Sequence, residues 1–325
     1  MKSPTARVVV ITDRRDAHLP FVERHLDAPF VVLDPQEFAA GKELSYECKD
    51  GRIIPVYDGL RLDAVSGAWY RKPLQITDDN LPVAPVFKAY ARTAMQRHFN
   101  QLLTCFSEAT WVSDYYAICK ANNKSWQLAI AKQLGMQVPD TVITGDKVVA
   151  AAFLKTHPRS VAKSLTTTYP QVEGKTNTFF TTLLEDGFAP DLTGLHFAPS
   201  IFQEAISIST DVRVTVVGDQ IFAAAIRAQG AEKSKTYDYR LSQHAGKVTI
   251  EALDDFPKEL TRQCVEHTKR LGLRFGALDF VLDASGTYWF LENNPNGQWA
   301  FIEESTGQPI GKALADLLQS NALGR

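Results

Sequence analysis

Short runs of β-branched and aromatic residues alternate with polar segments at the start of the chain. The runs at residues 7–12, 30–34 and 64–70 have the length and composition of buried strands. An amphipathic stretch containing Phe21 and Leu26 lies between the first two runs. A strand, a helix and a strand at this spacing predict a small α/β lobe at the N-terminus.

The spacing of apolar residues changes in the middle of the chain. Between residues 85 and 109 they recur at intervals of three and four, which predicts one long amphipathic helix that packs on the first lobe. A second unit begins near Asn122, with a polar entry, a helix, and Gly135 at the helix end. Short strands are predicted at residues 159–165 and 200–206.

The last third of the chain alternates strands around one helix. The segments VRVTVVG, QIFAAAI, GALDFVL and TYWFLE are typical of strands, and residues 256–272 are typical of a helix. The order of elements predicts an N-terminal α/β lobe with its long helix at residues 1–117. A small central subdomain follows at 118–199, and a subdomain with a larger, mostly antiparallel sheet at 200–325.

Oxygen-bearing side chains interrupt the last two predicted strands. If Ser285 and Gly286 form a two-residue turn, Asp279 lies opposite Glu292 on one face, and Asn294 follows on the same side. Opposed carboxylates repel, and a divalent cation relieves that repulsion; ligands that are all oxygen favour Mg²⁺ or Mn²⁺ over zinc. The alternative is that Glu292 faces solvent at a strand end and NNPNG is only a turn.

Composition narrows the class of protein. The 325 residues are 45% hydrophobic and 22% charged, with a net charge of −2, so no basic field predicts a nucleic acid or an anionic membrane as partner. The N-terminus has no signal-peptide pattern, and no apolar run reaches the ~20 residues of a membrane helix. The four cysteines form no metal or redox motif. We therefore expect a cytoplasmic protein.

Two lysines have the placement of phosphate ligands. Lys124 opens a predicted helix and Lys163 lies in a predicted strand; taken alone, Lys124 is more often a surface charge and Lys163 more often an edge-strand or snorkelling residue. The extended segment FQEAI offers backbone groups to an adenine edge, and Asp211 follows where a carboxylate can accept ribose hydroxyls. Two arginines, Arg213 and Arg227, lie on strands of the same predicted sheet.

The order of these residues resembles the ATP-grasp superfamily over roughly residues 124–299. The resemblance implies an α/β protein with an ATP-grasp fold: an N-terminal α/β pre-grasp lobe, a small central lobe and a larger C-terminal antiparallel-sheet lobe. It implies that ATP contacts Lys124, Lys163, Gln203, Glu204, Ala205, Ile206 and Asp211. It implies Mg²⁺ ligands, two ions with Mn²⁺ as an alternative, at Asp279, Glu292 and Asn294. It implies catalytic roles for Arg213, Arg227 and Lys163.

Four segments are similar to the microviridin-type peptide maturases, also called graspetide synthetases: WYRKP, FQEAISISTDVRVTVVGDQIFAAAI, DYR and ENNPNGQW. The resemblance implies that ATP converts a carboxylate into an acyl phosphate, which then yields an ester or amide cross-link in a ribosomal precursor peptide. We expect peptide contacts at Trp69, Tyr70, Arg71, Asp238 and Arg240. We also expect the loop at residues 164–177 to close over the phosphates, although Gly174 is its only glycine.

Three other functions are weighed against this one. A free-standing ligase that joins an amino acid to a small amine or a protein terminus would use the same ATP site. A nucleotide-binding module without catalysis is disfavoured, because such a module has no reason to keep a costly carboxylate pair. A dinucleotide-dependent oxidoreductase is disfavoured because no G-x-G-x-x-G follows the first strand. A homodimer is left open.

Overall fold

A computed structural model describes residues 7–27, 30–78, 81–165, 171–172, 175–176, 181–185, 190–228 and 248–320. These residues form three lobes, each built on its own principal sheet. None of the helices in the described ranges is long and apolar enough to cross a membrane.

The first lobe is built on a four-stranded parallel sheet in the order β2-β1-β6-β7. Its buried valines and isoleucines explain the apolar runs in the sequence. The strands β3, β4 and β5 form a separate antiparallel sheet that the sequence pattern did not predict. The elements of this lobe are β1 (Arg7–Ile11), α1 (Leu19–Glu23), β2 (Phe30–Leu33), α2 (Pro35–Ala39), β3 (Leu44–Lys49), β4 (Arg52–Tyr57), β5 (Leu60–Arg61), β6 (Val65–Tyr70), α3 (Lys88–Asn100), α4 (Leu102–Cys105) and β7 (Thr110–Val112).

The central lobe is a four-stranded antiparallel sheet in the order β12-β9-β13-β8, with one helix packed against it. A two-stranded pair, β10 and β11, lies within the predicted lid segment. The elements of this part of the chain are α5 (Tyr115–Ala121), α6 (Lys124–Gln133), β8 (Thr141–Thr144), α7 (Lys147–Thr156), β9 (Ser160–Ser164), β10 (Gln171–Val172), β11 (Lys175–Thr176), β12 (Thr182–Leu184) and β13 (Ser200–Glu204).

The third lobe is a five-stranded antiparallel sheet in the order β16-β15-β14-β17-β18. One face packs on α6 and α8, and the other on the two C-terminal helices and the first lobe. The elements are β14 (Thr210–Val217), β15 (Gln220–Ala228), β16 (Val248–Ala252), α8 (Lys258–Arg270), β17 (Phe275–Leu282), β18 (Tyr288–Asn294), α9 (Ala300–Thr306) and α10 (Ile310–Gln319).

The prediction of one continuous helix over residues 85–109 is wrong. Residues Pro85–Phe87 form a 3₁₀ turn, α3 ends at Asn100, and α4 ends at Cys105. Only the second half of this segment is packed: Phe99 is buried, whereas Tyr90 is 76% exposed. The apolar spacing therefore reflects a buried face after residue 98 and an exposed apolar surface before it.

The boundaries between the lobes differ from the predicted ones at two places. The strand β13 belongs to the central sheet, so the chain enters the third lobe after Glu204 and not at residue 200. The helix α6 precedes the central sheet in sequence but packs on α8 and β18 of the third lobe. Pairing with β8 and β9 decided the placement of β13, and packing of one apolar helix face decided the placement of α6. The order of residues in the sequence predicts neither contact.

The first and third lobes are joined by a close backbone contact. A Cβ atom added at Gly67 in β6 would lie 2.1 Å from the carbonyl oxygen of Leu318 in α10. We expect Gly67→Ala to lower the free energy of unfolding by about 3 kcal/mol, because backbone must move to admit the methyl group. Urea denaturation measures this change. Gly194→Ala is the control, since its added Cβ would meet nothing within 4 Å; equal losses in the two variants would contradict the prediction.

Candidate active site

A cleft with a volume of about 1480 Å³ lies where the three lobes meet. It is lined by most of the predicted site residues: Tyr70, Arg71, Lys124, Lys163, Gln203, Asp211, Arg213, Asp279, Glu292 and Asn294. They come from β6, α6, β9, β13, β14, β17 and β18, so the fold collects residues that are more than 200 positions apart in sequence.

The hairpin of β17 and β18 sets the two carboxylates opposite each other, in the register that the sequence analysis predicts. The predicted two-residue turn, however, is wrong. The loop runs from Asp283 to Thr287, and the Asp283 carboxylate accepts hydrogen bonds from the Ser285 and Thr287 amides at 2.8 and 3.0 Å. A β-bulge after Asp279 then shifts the pairing by one residue and restores the Asp279–Glu292 register.

Each carboxylate of the pair is held by a cation from another element. The Nε atom of Arg213 in β14 donates to Asp279 Oδ1 at 2.6 Å, and Lys124 Nζ in the first turn of α6 donates to Glu292. Arg213 is only 6% exposed, and it also donates to the backbone carbonyl of Gln298 at 2.8 Å. The two cations offset the repulsion between the opposed carboxylates.

The donor set at this point fits a hard divalent cation. Asp279, Glu292 and Asn294 lie on one face of the hairpin and line the same cleft, so two carboxylates and one amide oxygen converge. The Asn294 Oδ1 atom accepts one hydrogen bond, from the Asn296 amide at 3.0 Å, which leaves its second lone pair. Among the described residues, no group of three or more His, Cys, Asp and Glu could hold a metal.

A buried amide network behind the hairpin fixes the distance between α6 and the carboxylates. The side chain of Gln127 accepts from the Asn293 amide at 2.9 Å and donates to the Asn293 carbonyl at 2.7 Å. Asn293 lies between the two predicted metal ligands Glu292 and Asn294, and Gln127 lies one turn after Lys124. Gln127 was not predicted from the sequence. It could have been found because it lies three and four residues before Ile130 and Ala131, and is therefore on the buried face of α6.

His267 in α8 completes this network as a neutral imidazole. Its Nε2 atom donates to the Gln127 carbonyl at 3.0 Å, and its Nδ1 atom accepts from the Asn293 side chain at 3.3 Å. Burial lowers the pKa of His267 to about 4, although the hydrogen bond to Gln127 opposes this shift.

This shift predicts a loss of stability in mild acid. The histidine has its ordinary pKa of about 6.5 in the unfolded chain, so as pH falls below that value the unfolded state takes up the proton first. We expect the His267 contribution to the free energy of unfolding to decrease by about 2 kcal/mol between pH ~7.5 and pH ~5. Urea denaturation of wild type and His267→Gln at both pH values isolates this contribution. An identical pH dependence in the two proteins would contradict the prediction.

The half of the cleft where the sequence predicts nucleotide binding lies at the junction of β9 and β13. Lys163 Nζ donates to Gln203 Oε1 at 2.8 Å, and Gln203 donates to Thr141 Oγ1 at 2.9 Å. A small pocket beside them is lined by Val161, Ile206, Ile208, Val281 and Leu291, with Glu204 and Ala205 at its edge. Its apolar walls and adjoining polar groups are the features of an adenine site.

The linker after β13 offers fewer backbone donors than the sequence analysis expects. The amide of Glu204 donates to the Asp140 carbonyl at 2.8 Å, and the amide of Ala205 donates to the Arg159 carbonyl at 3.1 Å. Both amides are therefore used inside the central sheet. Of these three consecutive residues, only Ile206 keeps the expected role of backbone donor to adenine.

Arg227 does not reach the cleft. The hairpin of β14 and β15 pairs Arg213 with Ala224 and Asp211 with Ile226, so side-chain alternation places Arg227 on the opposite face of the sheet. It pairs there with Glu251. The signal was present in the sequence, because the two-residue turn at Gly218 and Asp219 already fixes this register. The expectation of a catalytic role for Arg227 is not supported by its placement.

Trp69 is a core residue and not a peptide contact. It is 2% exposed and packs between the first sheet and the C-terminal helices. The expectation of a substrate role for Trp69 is therefore wrong, because its side chain faces the interior. Tyr70 does line the cleft, where it packs on Tyr115 with ring centroids 4.9 Å apart.

Arg71 connects the first lobe to the loop that follows the predicted metal ligands. Its guanidinium is 1% exposed, donates to the Asn296 carbonyl and to Gln298 Oε1 at 2.9 Å, and forms an ion pair with Asp16 at 3.5 Å. Burial would raise the pKa of Asp16, but the hydrogen bond from His18 and the charge of Arg71 lower it to about 2. These contacts make Arg71 a support for the 294–298 loop, in place of the peptide contact expected from sequence.

Two expected peptide contacts, Asp238 and Arg240, lie outside the described residues, as does most of the predicted lid at 164–177. The described lid residues Ser164 and Leu165 line the cleft next to Lys163.

Comparisons with known proteins agree with this architecture. A family model for the RimK-like ATP-grasp domain matches residues 186–318. No curated protein sequence matches the chain.

Solved structures match it over nearly its whole length. An ATP-grasp ligase associated with RiPPs from Chryseobacterium gregarium, in complex with ADP and a leader and core peptide, has a TM-score of 0.84 at 23% identity over 97% of both chains. The macrocyclase MdnC from Microcystis aeruginosa MRC, bound to its precursor peptide MdnA, has a TM-score of 0.82 at 26% identity over 96% of this chain and 99% of that one. A D-alanine–D-alanine ligase from Bacillus anthracis, complexed with ATP, has a TM-score of 0.56 at 13% identity over 99% and 98%.

These matches confirm the fold that the motifs predict and the likeness to peptide macrocyclases. The D-alanine–D-alanine ligase matches at a lower TM-score than the peptide-bound structures. The chain is therefore more similar in fold to the peptide-bound structures than to this ligase. The chain therefore has the ATP-grasp fold, and its residues 186–318 are similar to the RimK-like ATP-grasp domain.

Proposed function

We propose that this protein is an ATP-dependent ligase that installs ester or amide cross-links between side chains of a ribosomal precursor peptide. The observation that carries the proposal is the opposed Asp279–Glu292 pair, which faces one cleft together with Lys124, Lys163 and Arg213. Such a set of oxygens and cations suits the transfer of a phosphoryl group.

The nucleotide lies along the junction of the central and third lobes in this proposal. Ile206 contributes a backbone amide to the adenine edge, and Asp211, which lines the cleft, accepts the ribose hydroxyls. Lys163 and Lys124 hold phosphates as compact point charges. Lys124 contacts Glu292 in this structure, and it would bind a phosphate in place of that contact if the carboxylate held a metal ion.

Asp279, Glu292 and Asn294 would hold Mg²⁺, which would supply positive charge to neutralise the phosphates. Arg213, on the neighbouring strand β14, donates to the Asp279 carboxylate. Its guanidinium also suits a bidentate contact with the carboxylate of the peptide substrate or with the acyl phosphate formed from it. The closed cleft excludes water, which would otherwise hydrolyse the acyl phosphate.

A peptide substrate is supported by the size of the cleft and by its continuation into the first lobe. The volume of about 1480 Å³ exceeds the 300–1,000 Å³ that is typical of one small-molecule site. The wall beyond the carboxylates is formed by Tyr70, Tyr115 and Phe301, which offers aromatic contacts to a second, larger substrate. Since ATP is the co-substrate, we place the reaction in the cytoplasm.

Mass spectrometry of co-expressed peptides tests the proposal. Each short open reading frame beside the gene is expressed with the wild-type protein and with Asp279→Asn. Loss of one or more water masses only with the wild type is the expected result, because each cross-link releases one water overall. An unchanged mass for every peptide, together with ATP turnover on free amino acids and amines, would instead favour a small-molecule ligase.

A further inference from the structure

Lys72 is a cation of the cleft to which the sequence analysis gave no role. It follows β6 directly and lies in the segment WYRKP. The Arg71 amide donates to the Ile11 carbonyl at 3.0 Å, which extends the pairing of β6 with β1 to this point and fixes the backbone. The Arg71 side chain is 1% exposed, whereas the Lys72 side chain is exposed and lines the cleft.

The other basic residues of the cleft wall are engaged. Arg71 pairs with Asp16, Lys124 with Glu292, and Arg213 with Asp279, while Lys163 donates to Gln203. Lys72 makes no hydrogen bond or ion pair with any residue in the described part of the chain. Its amine is therefore available to contact a substrate in the cleft.

The surroundings of Lys72 make it easier to deprotonate than a lysine in water. Desolvation by the cleft walls and the positive charges of Arg71 and Arg213 lower the pKa of Lys72 to about 8, and Asp16 opposes this shift. His18 also lies near Lys72, and burial lowers the pKa of His18. Near neutral pH about one tenth of Lys72 is then unprotonated, a fraction that suits a general base.

The second half of the proposed reaction requires such a base. A hydroxyl or ammonium group must lose a proton before it attacks an acyl phosphate. Asp279 and Glu292 are assigned to the metal and Asp211 to ribose, and both ring nitrogens of His18 are occupied by Asp16, Arg71 and the Trp299 amide. Glu304 on α9 is the other carboxylate that lines this wall.

We propose that Lys72 is the general base of the cross-linking step, an inference that rests on the proposed ligase function. As the peptide hydroxyl or amine attacks the acyl carbon, its proton moves to Lys72 Nζ and a new C–O or C–N bond forms. The bond from the acyl carbon to the phosphate oxygen breaks, and phosphate leaves with the electron pair. Lys72 then returns the proton to solvent.

The test separates the two half-reactions in the full-length protein. The precursor peptide identified by co-expression is incubated with Mg²⁺-ATP, with and without hydroxylamine, which captures the acyl phosphate as a hydroxamate without a protein base. We expect Lys72→Met to form the hydroxamate at a rate close to wild type. We expect its cross-linking rate to fall about 100-fold. Lys72→Arg is expected to behave like Lys72→Met, because a guanidinium does not accept a proton.

Further readouts decide between a base and a simple cation. The wild-type cross-linking rate is expected to rise with pH until about pH 8, while hydroxamate formation does not follow that rise. Restoration of cross-linking by Lys72→Arg would overturn the inference in favour of carboxylate binding. Loss of the hydroxamate in Lys72→Met would place the residue in the first half-reaction. Wild-type cross-linking in Lys72→Met together with a loss of cross-linking in Glu304→Gln would overturn the inference and assign the base to Glu304. If the wild type forms neither product, the proposed ligase function itself is wrong and the inference falls with it.

Discussion

Replacing Asp279 with asparagine or Glu292 with glutamine is expected to abolish turnover while the fold survives. Either change keeps the size of the side chain but removes an anionic oxygen from the set that faces Mg²⁺ and the phosphates. Each variant also leaves one cation, Arg213 or Lys124, without its carboxylate partner. We expect ADP release in the presence of the peptide substrate to fall by about 10³-fold or more.

Circular dichroism and thermal unfolding show whether the variants remain folded, and the increase of the melting temperature by Mg²⁺-ATP reports binding. Glu251→Gln is the matched control, because this carboxylate pairs with Arg227 on the opposite face of the same sheet. Near-normal ADP release in either Asp279→Asn or Glu292→Gln would show that the metal assignment is wrong. Loss of activity in Glu251→Gln as well would point to a general effect of charge.

Replacing Arg213 with methionine is expected to reduce kcat by about 10²–10³-fold, as is found when a preorganised donor to a developing charge is removed. The guanidinium contacts both Asp279 and the Gln298 carbonyl, so it fixes the carboxylate and the loop after β18 together. Arg213→Lys is expected to recover only part of the activity, because a lysine offers a point charge and cannot span both acceptors in one plane.

Arg227→Met is the control for this prediction, since the two arginines lie on neighbouring strands but on opposite faces of the sheet. Steady-state ADP release at saturating ATP measures both variants. If Arg227→Met loses as much activity as Arg213→Met, the assignment of the catalytic role to Arg213 alone is wrong and the expectation drawn from sequence for Arg227 would be restored.

The carboxylate hairpin shows how far local pattern can be trusted. Alternation of apolar and polar residues predicts that Asp279 and Glu292 share one face, and they do. The predicted two-residue turn is replaced by a longer loop that the Asp283 carboxylate organises, and the β-bulge after Asp279 cancels the resulting shift. The register was therefore predicted correctly although the turn was not.

Sequence by itself determined the order of the proposed nucleotide and metal residues from Lys124 to Asn294, because these residues were identified from the spacing of motifs along the chain. It also determined the α/β start of the chain, since buried parallel strands require continuous apolar runs.

Only the tertiary structure decided which side chains of WYRKP serve the cleft. Trp69 packs in the core, Arg71 ties the first lobe to the 294–298 loop, and Lys72 faces the cleft. The tertiary structure also showed that Gln127 joins α6 to β18. These assignments depend on contacts between residues more than 160 positions apart. The local spacing of apolar and polar residues does not predict such distant contacts.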